Sequence, residues 1–157
     1  MIAPRRAGLA GLALAGCAAL ATAGGSQAAP VVRGVHLDGR TALQKVVSRD
    51  VFVDTGTVTG SPVGSGRIVL RYALDPSRGT AVTTFTIANR HGTVRGRCLS
   101  SYSVTRLHIT FTGAAGITGG TGRYAGITGS PLEFNAVHSA TGRREIIAFT
   151  GRSVTPR

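Results

Sequence analysis

Few residues in this 157-residue chain could carry chemistry. The four histidines, His36, His91, His108 and His138, lie far apart and form no His-x-His or His-x-x-x-His pair, so the spacing of zinc ligands is absent. No metal site is expected. There is no Gly-x-Ser-x-Gly turn to present a serine nucleophile, and Gly64-Ser65-Gly66 reads as a turn. The only glutamates are Glu133 and Glu145, and both read as outward-facing. His138 reads as a strand-end or core histidine rather than a base. Cys98 reads as a small buried hydrophobe. A cysteine nucleophile needs a base beside it in space, and sequence spacing supplies none. No catalytic residue is assigned from these patterns, and no cofactor is expected.

A phosphate-loop reading of Gly120-Thr121-Gly122-Arg123-Tyr124-Ala125 needs a strand before it and a helix after it. Nothing after Gly126 has helical patterning, so a tight turn is expected there. The repeated Ala-Gly-Ile-Thr-Gly at 115–119 and 125–129 suggests a hairpin, with two short Ile-Thr strands flanking the turn 119–124.

Period-2 alternation of apolar and polar residues dominates from Val51 onward. Ile68, Leu70, Tyr72 and Leu74 share one face, as do Thr83, Phe85 and Ile87. So do Val94, Gly96 and Cys98; Leu107, Ile109 and Phe111; Leu132, Phe134 and Ala136; and Ile147 and Phe149. Turn sequences such as Asp75-Pro76-Ser77-Arg78-Gly79 separate these runs. Seven or eight short strands with hairpin-length links describe an all-β antiparallel sandwich or small barrel. A parallel sheet would need longer crossovers. Residues 41–47 fit a short helical turn, a docking arm or a first strand equally well. The domain plan is therefore a leader over 1–28, an N-terminal arm over 29–49 and a β domain over 50–157.

The leader has Arg5 and Arg6, then an uncharged Ala/Leu/Gly run to Ala23, then the small-residue site Ser26-Gln27-Ala28. That is the form of a secretory signal peptide cleaved near Ala28. The alternative is a lipoprotein: Leu14-Ala15-Gly16-Cys17 is similar to a lipobox, with lipidation at Cys17 anchoring the chain to a membrane. Cleavage after Ala28 would leave Cys98 as the sole cysteine, without an internal disulfide.

The sequence carries 18 basic and 6 acidic residues, a net charge of +12, which drops by the two charges of Arg5 and Arg6 once the leader is gone. The arginines are scattered and only 5% of residues are aromatic, so a nucleic-acid partner is disfavoured. Arg67, Arg71, Arg95 and Arg97 share outer strand faces, where an anionic envelope polymer is the better partner for an exported protein. The oligomeric state is not legible.

One segment has a relative. Phe111-Thr112-Gly113, followed by Gly119-Gly120-Thr121-Gly122-Arg123-Tyr124-Ala125-Gly126 and Gly129, resembles the glycine-rich signature of the allene oxide cyclase and dirigent-like β-barrels, which secreted bacterial proteins share. The resemblance spans about Val51–Arg152. It implies an eight-stranded antiparallel barrel with an apolar cavity, and it makes Gly119, Gly120, Gly122, Gly126 and Gly129 structural turn residues. Tyr72, Phe85, Phe111 and Phe134 are then the cavity-lining candidates for ligand binding, with core packing as their other role.

The leading functional expectation is an exported barrel that binds an apolar small molecule without a cofactor. The second is a cofactor-free cyclase or isomerase holding a lipid-like or phenolic substrate in one pose. The third is an envelope-associated structural protein using its Arg-rich faces.

Overall fold

The computed structural model describes residues 29–155; the segment expected to be a leader, 1–28, Cys17 included, lies outside the described residues. Eight strands follow in order: β1 (Val31–Ser48), β2 (Val51–Ser61), β3 (Gly64–Asp75), β4 (Thr80–Asn89), β5 (Gly92–Val104), β6 (His108–Gly120), β7 (Gly129–Ser139) and β8 (Glu145–Thr155). Each pairs antiparallel with its neighbour in sequence, and β8 returns to β1 to close an eight-stranded barrel.

Closure corrects the domain plan. Residues 29–49 do not form an arm: Val31–Ser48 is β1, paired with β2 along one edge and β8 along the other. Its inward residues are Val35, Leu37, Gly39 and Thr41, a weakly apolar set within Val31–Thr41, the stretch that pairs with a strand over 100 residues later. Pairing over Val31–Thr41 shuts the sheet into a barrel without open edge strands, which is the physical reward for recruiting it.

The expected alternation holds elsewhere. Ile68, Leu70, Tyr72, Phe85, Ile87, Phe111, Leu132, Phe134, Ile147 and Phe149 are all buried inside the barrel. Leu107 departs from it: it is exposed in the turn before β6. An eight-stranded barrel is just wide enough for side chains to fill. Here the aromatics do so, with Phe149 packed 4.9 Å from Phe85 and 5.1 Å from Phe134 between ring centroids. Gly96 makes this possible, because a Cβ there would lie 2.2 Å from Cζ of Phe85.

The two ends of the barrel differ. The β2–β3, β4–β5 and β6–β7 connections form one end, closed by Val63, Tyr124 and Ile127. The β1–β2, β3–β4, β5–β6 and β7–β8 turns form the other, which we call the mouth. The glycine-rich segment is not the expected hairpin. β6 runs on to Gly120, a single 3₁₀ turn covers Gly122–Tyr124, and Ile117 pairs with Gly129 rather than with Ile127. Gly122 and Gly126 take the positive-φ conformations of a tight loop (φ 59° and 73°), whereas Gly120 lies at the end of β6 and Gly129 begins β7.

Candidate functional site

A buried polar cluster lies just inside the mouth. It is built by residues at inward-facing positions of five adjoining strands, β7, β8, β1, β2 and β3. Thr41 on β1 pairs in register with Glu145 on β8, and Glu145 pairs with His138 on β7. Phe52 and Asp54 are successive inward positions of β2, and Phe52 pairs with Tyr72 on β3. Asp54 is 0%, Glu145 1% and His138 5% exposed. This overturns the outward reading of Glu145; only Glu133 is exposed.

Glu145 is held at both oxygens. The Tyr72 hydroxyl donates to Oε1 and the Thr41 hydroxyl to Oε2. Burial raises its pKa, the two hydroxyl donors pull it down, and the nearby Asp54 carboxylate raises it again, leaving it at about 7. Tyr72 is itself pushed well above the ordinary phenol value, first by burial and then by the Glu145 charge, so it stays a neutral donor.

His138 Nε2 lies 3.0 Å from Asp54 Oδ2, and its Nδ1 lies 2.8 Å from the Ser139 carbonyl oxygen. The Nε2–Asp54 contact has ion-pair distance but not the alignment of a hydrogen bond, so neither Asp54 oxygen has an aligned donor. Both ring nitrogens face acceptors, an arrangement that suits the imidazolium. Burial works against that charge, but Asp54, Glu145 and the Ser139 carbonyl outweigh it and raise the His138 pKa.

Aromatic rings frame the cluster. Phe52 stacks on Tyr72 at 4.7 Å, Tyr72 meets Phe111 at 4.8 Å, and Phe52 meets the His138 ring edge-on at 5.4 Å. A cleft of about 210 Å³ opens the mouth to solvent and ends on Phe52, Ile109 and His138. Deeper in, the Thr83 and Ser100 hydroxyls are buried without a protein partner, and Thr83 sits in register between Tyr72 and Cys98. Cys98 is a buried free thiol whose pKa burial pushes up to about 12, which makes it inert rather than nucleophilic.

The expected cavity-lining set therefore divides. Tyr72 and Phe111 border the cluster, whereas Phe85 and Phe134 pack with Phe149 in the filled core. Sequence reasoning missed Thr41, Asp54 and Glu145. The signal was present as strand parity: Glu145 shares a face with Ile147 and Phe149, as Asp54 does with Phe52 and Val58. Among the described residues no group of three or more His, Cys, Asp or Glu is arranged to hold a metal ion. Arg67, Arg71, Arg95 and Arg97 are exposed on the outer faces of β3 and β5, with Arg71–Thr84–Arg97 aligned across β4.

Fold and site together define a small closed antiparallel barrel with a buried carboxylate–histidine cluster under one mouth. No protein-family model matches the chain, and no curated protein matches it. Among solved structures it is similar to pyocyanin demethylase, at 20% identity and a TM-score of 0.41, over 76% of this chain and 100% of that one. A likeness at that level carries no functional argument.

Proposed function

We propose that the protein is a cofactor-free acid–base catalyst, an isomerase or cyclase acting on a small, largely apolar molecule that enters at the mouth. The observation that carries this reading is the burial of Asp54, Glu145 and His138 together among aromatic rings. Taking such charges out of water costs several kcal/mol per ion. Buried groups with perturbed titration, here Glu145 and His138, are enriched at working sites, and His138 lines the cleft at the mouth.

The chemistry is a proton shift. Asp54, with no aligned donor on its oxygens, takes a proton from a carbon of the substrate. Glu145, whose raised pKa favours its protonated form, returns a proton at another carbon as the double bond or ring closes. Substrate and product are isomers and no electron leaves; the proton taken up by Asp54 then returns to Glu145 through solvent, which restores both carboxyls for the next turnover. Tyr72 and Thr41 fix the Glu145 carboxyl, and the rings restrict the substrate to one pose. The resemblance of the glycine-rich segment to allene oxide cyclase and dirigent-like barrels fits this class of reaction, and the leader of residues 1–28 fits export.

A second reading is binding without turnover, favoured by the small, aromatic-edged mouth above a filled core. Isomerisation of 3-cyclohexen-1-one to its conjugated isomer, followed by ultraviolet absorbance, separates the two. Catalysis predicts a rate above buffer that Glu145→Gln and Asp54→Asn abolish. Saturable binding of the ketone with no rate above buffer would leave the binding reading in place of the enzyme.

A further inference from the structure

The end of the barrel opposite the mouth carries a second cleft, of about 570 Å³. Its floor is apolar and buried: Val63, Tyr124 and Ile127. Its rim is basic, with Arg33 from β1, His91 from the β4–β5 turn and Arg123 from the 3₁₀ turn. Three separate chain segments thus bring positive or hydrogen-bonding groups to one apolar hollow.

The hollow is firmly built. Asn89 Nδ2 donates to the Val63 carbonyl and to the Tyr124 hydroxyl, both at 2.9 Å, and the Tyr124 hydroxyl donates to the same carbonyl at 3.2 Å. The Arg123 amide donates to the His91 carbonyl at 2.8 Å, tying the 3₁₀ turn to the β4–β5 turn. Gly122 permits that approach, since a Cβ there would lie 2.3 Å from the His91 oxygen, and its φ of +59° suits only glycine comfortably. The floor and the backbone of the rim are therefore held in place before any ligand arrives, which lowers the ordering cost of binding.

Most acidic residues lie away from this end of the barrel. Of the six acidic residues, Asp50, Asp54, Asp75 and Glu145 lie toward the mouth. Asp38 faces His36 at 3.2 Å, and Glu133 accepts a hydrogen bond from Asn135. None lines the second cleft. Among the described residues the ion pairs are His36–Asp38, Arg78–Asp75 and His138–Asp54, so Arg33 and Arg123 have no carboxylate partner there.

We infer that this cleft is a binding site for a small organic anion, a phosphate or carboxylate group on an aliphatic or aromatic body. The anionic head would sit between Arg33 and Arg123, whose planar guanidiniums match such groups. The body would cover Val63, Tyr124 and Ile127. The site is independent of the proposed catalysis at the mouth.

The test is isothermal titration of the full chain with hexyl phosphate, hexanoate, hexanol and inorganic phosphate. Hexyl phosphate or hexanoate is expected to saturate one site at least tenfold more tightly than hexanol or inorganic phosphate, and whichever of the two binds identifies the head group. Arg33→Gln with Arg123→Gln, both exposed and so compatible with an unchanged melting temperature, should weaken it at least tenfold. Glu145→Gln should leave it unchanged. Equal binding of hexanol, equal binding of inorganic phosphate, insensitivity to the arginine pair, loss on Glu145→Gln, or no saturable binding would each overturn the proposal.

Discussion

Replacing Glu145 by Gln should stabilise the protein at neutral and alkaline pH while abolishing the proposed isomerisation. The sign follows from linkage. Glu145 titrates near 4.5 in the unfolded chain and at about 7 when folded, so the folded state binds more protons between those values. Stability is then fully present below about pH 4.5 and falls as pH rises to about 7. The shift of about 2.5 units corresponds to on the order of 3 kcal/mol lost by pH 8, at 1.36 kcal/mol per unit.

Glutamine has nearly the same shape and no charge. Its Oε1 can accept from Tyr72, and its amide can donate to the Thr41 oxygen, so both hydroxyl contacts survive in altered polarity. The variant should therefore exceed the wild type by roughly 1–3 kcal/mol at pH 8 and match it near pH 4.5. His138 adds a second slope of the same sign. Its raised pKa gives stability that is present below 6.5 and lost as pH rises through the folded value. The variant should keep only that slope, reduced by the loss of the Glu145 charge that helps raise His138. Urea denaturation at half-unit steps from pH 4 to 9 measures both. An E145Q variant that loses stability as steeply as the wild type between pH 5 and 6.5, or that is the weaker protein at pH 8, would refute the reasoning. Stability given up at working pH is what a site retained for chemistry predicts.

Three further outcomes are expected. Tyr72→Phe removes a donor that lowers the Glu145 pKa, so carbon-13 NMR of the carboxyl should show Glu145 titrating above its wild-type value. Cys98 should resist dithionitrobenzoate in the native protein and react once unfolded; fast native labelling would contradict its burial. Phe134→Ala, which deletes a fully buried ring packed on Phe149, should cost about 3–5 kcal/mol in urea unfolding.

The site was partly legible. His138 and the rings of Tyr72 and Phe111 stand out by alternation, but a glutamate before two strand residues is naturally read as a solvated end. Parity argued otherwise for Glu145, and only its partners reconcile a buried carboxylate with the apolar interior. Thr41 could not be found, because the strand carrying it has few large apolar residues to reveal its period.

The amino-acid order alone determined the all-β class, the faces of β3 to β8 and the turns between most of them. Those are local properties, fixed by side-chain period and by Gly and Pro chemistry. The tertiary structure decided that β1 joins the barrel, that Glu145 points inward, and that Asp54 meets His138. Each depends on the β1–β8 closure or on contacts across the barrel, between residues some 80 to over 100 positions apart. Such contacts exist only once the sheet has curled and shut, and no local pattern encodes which distant polar group will face which.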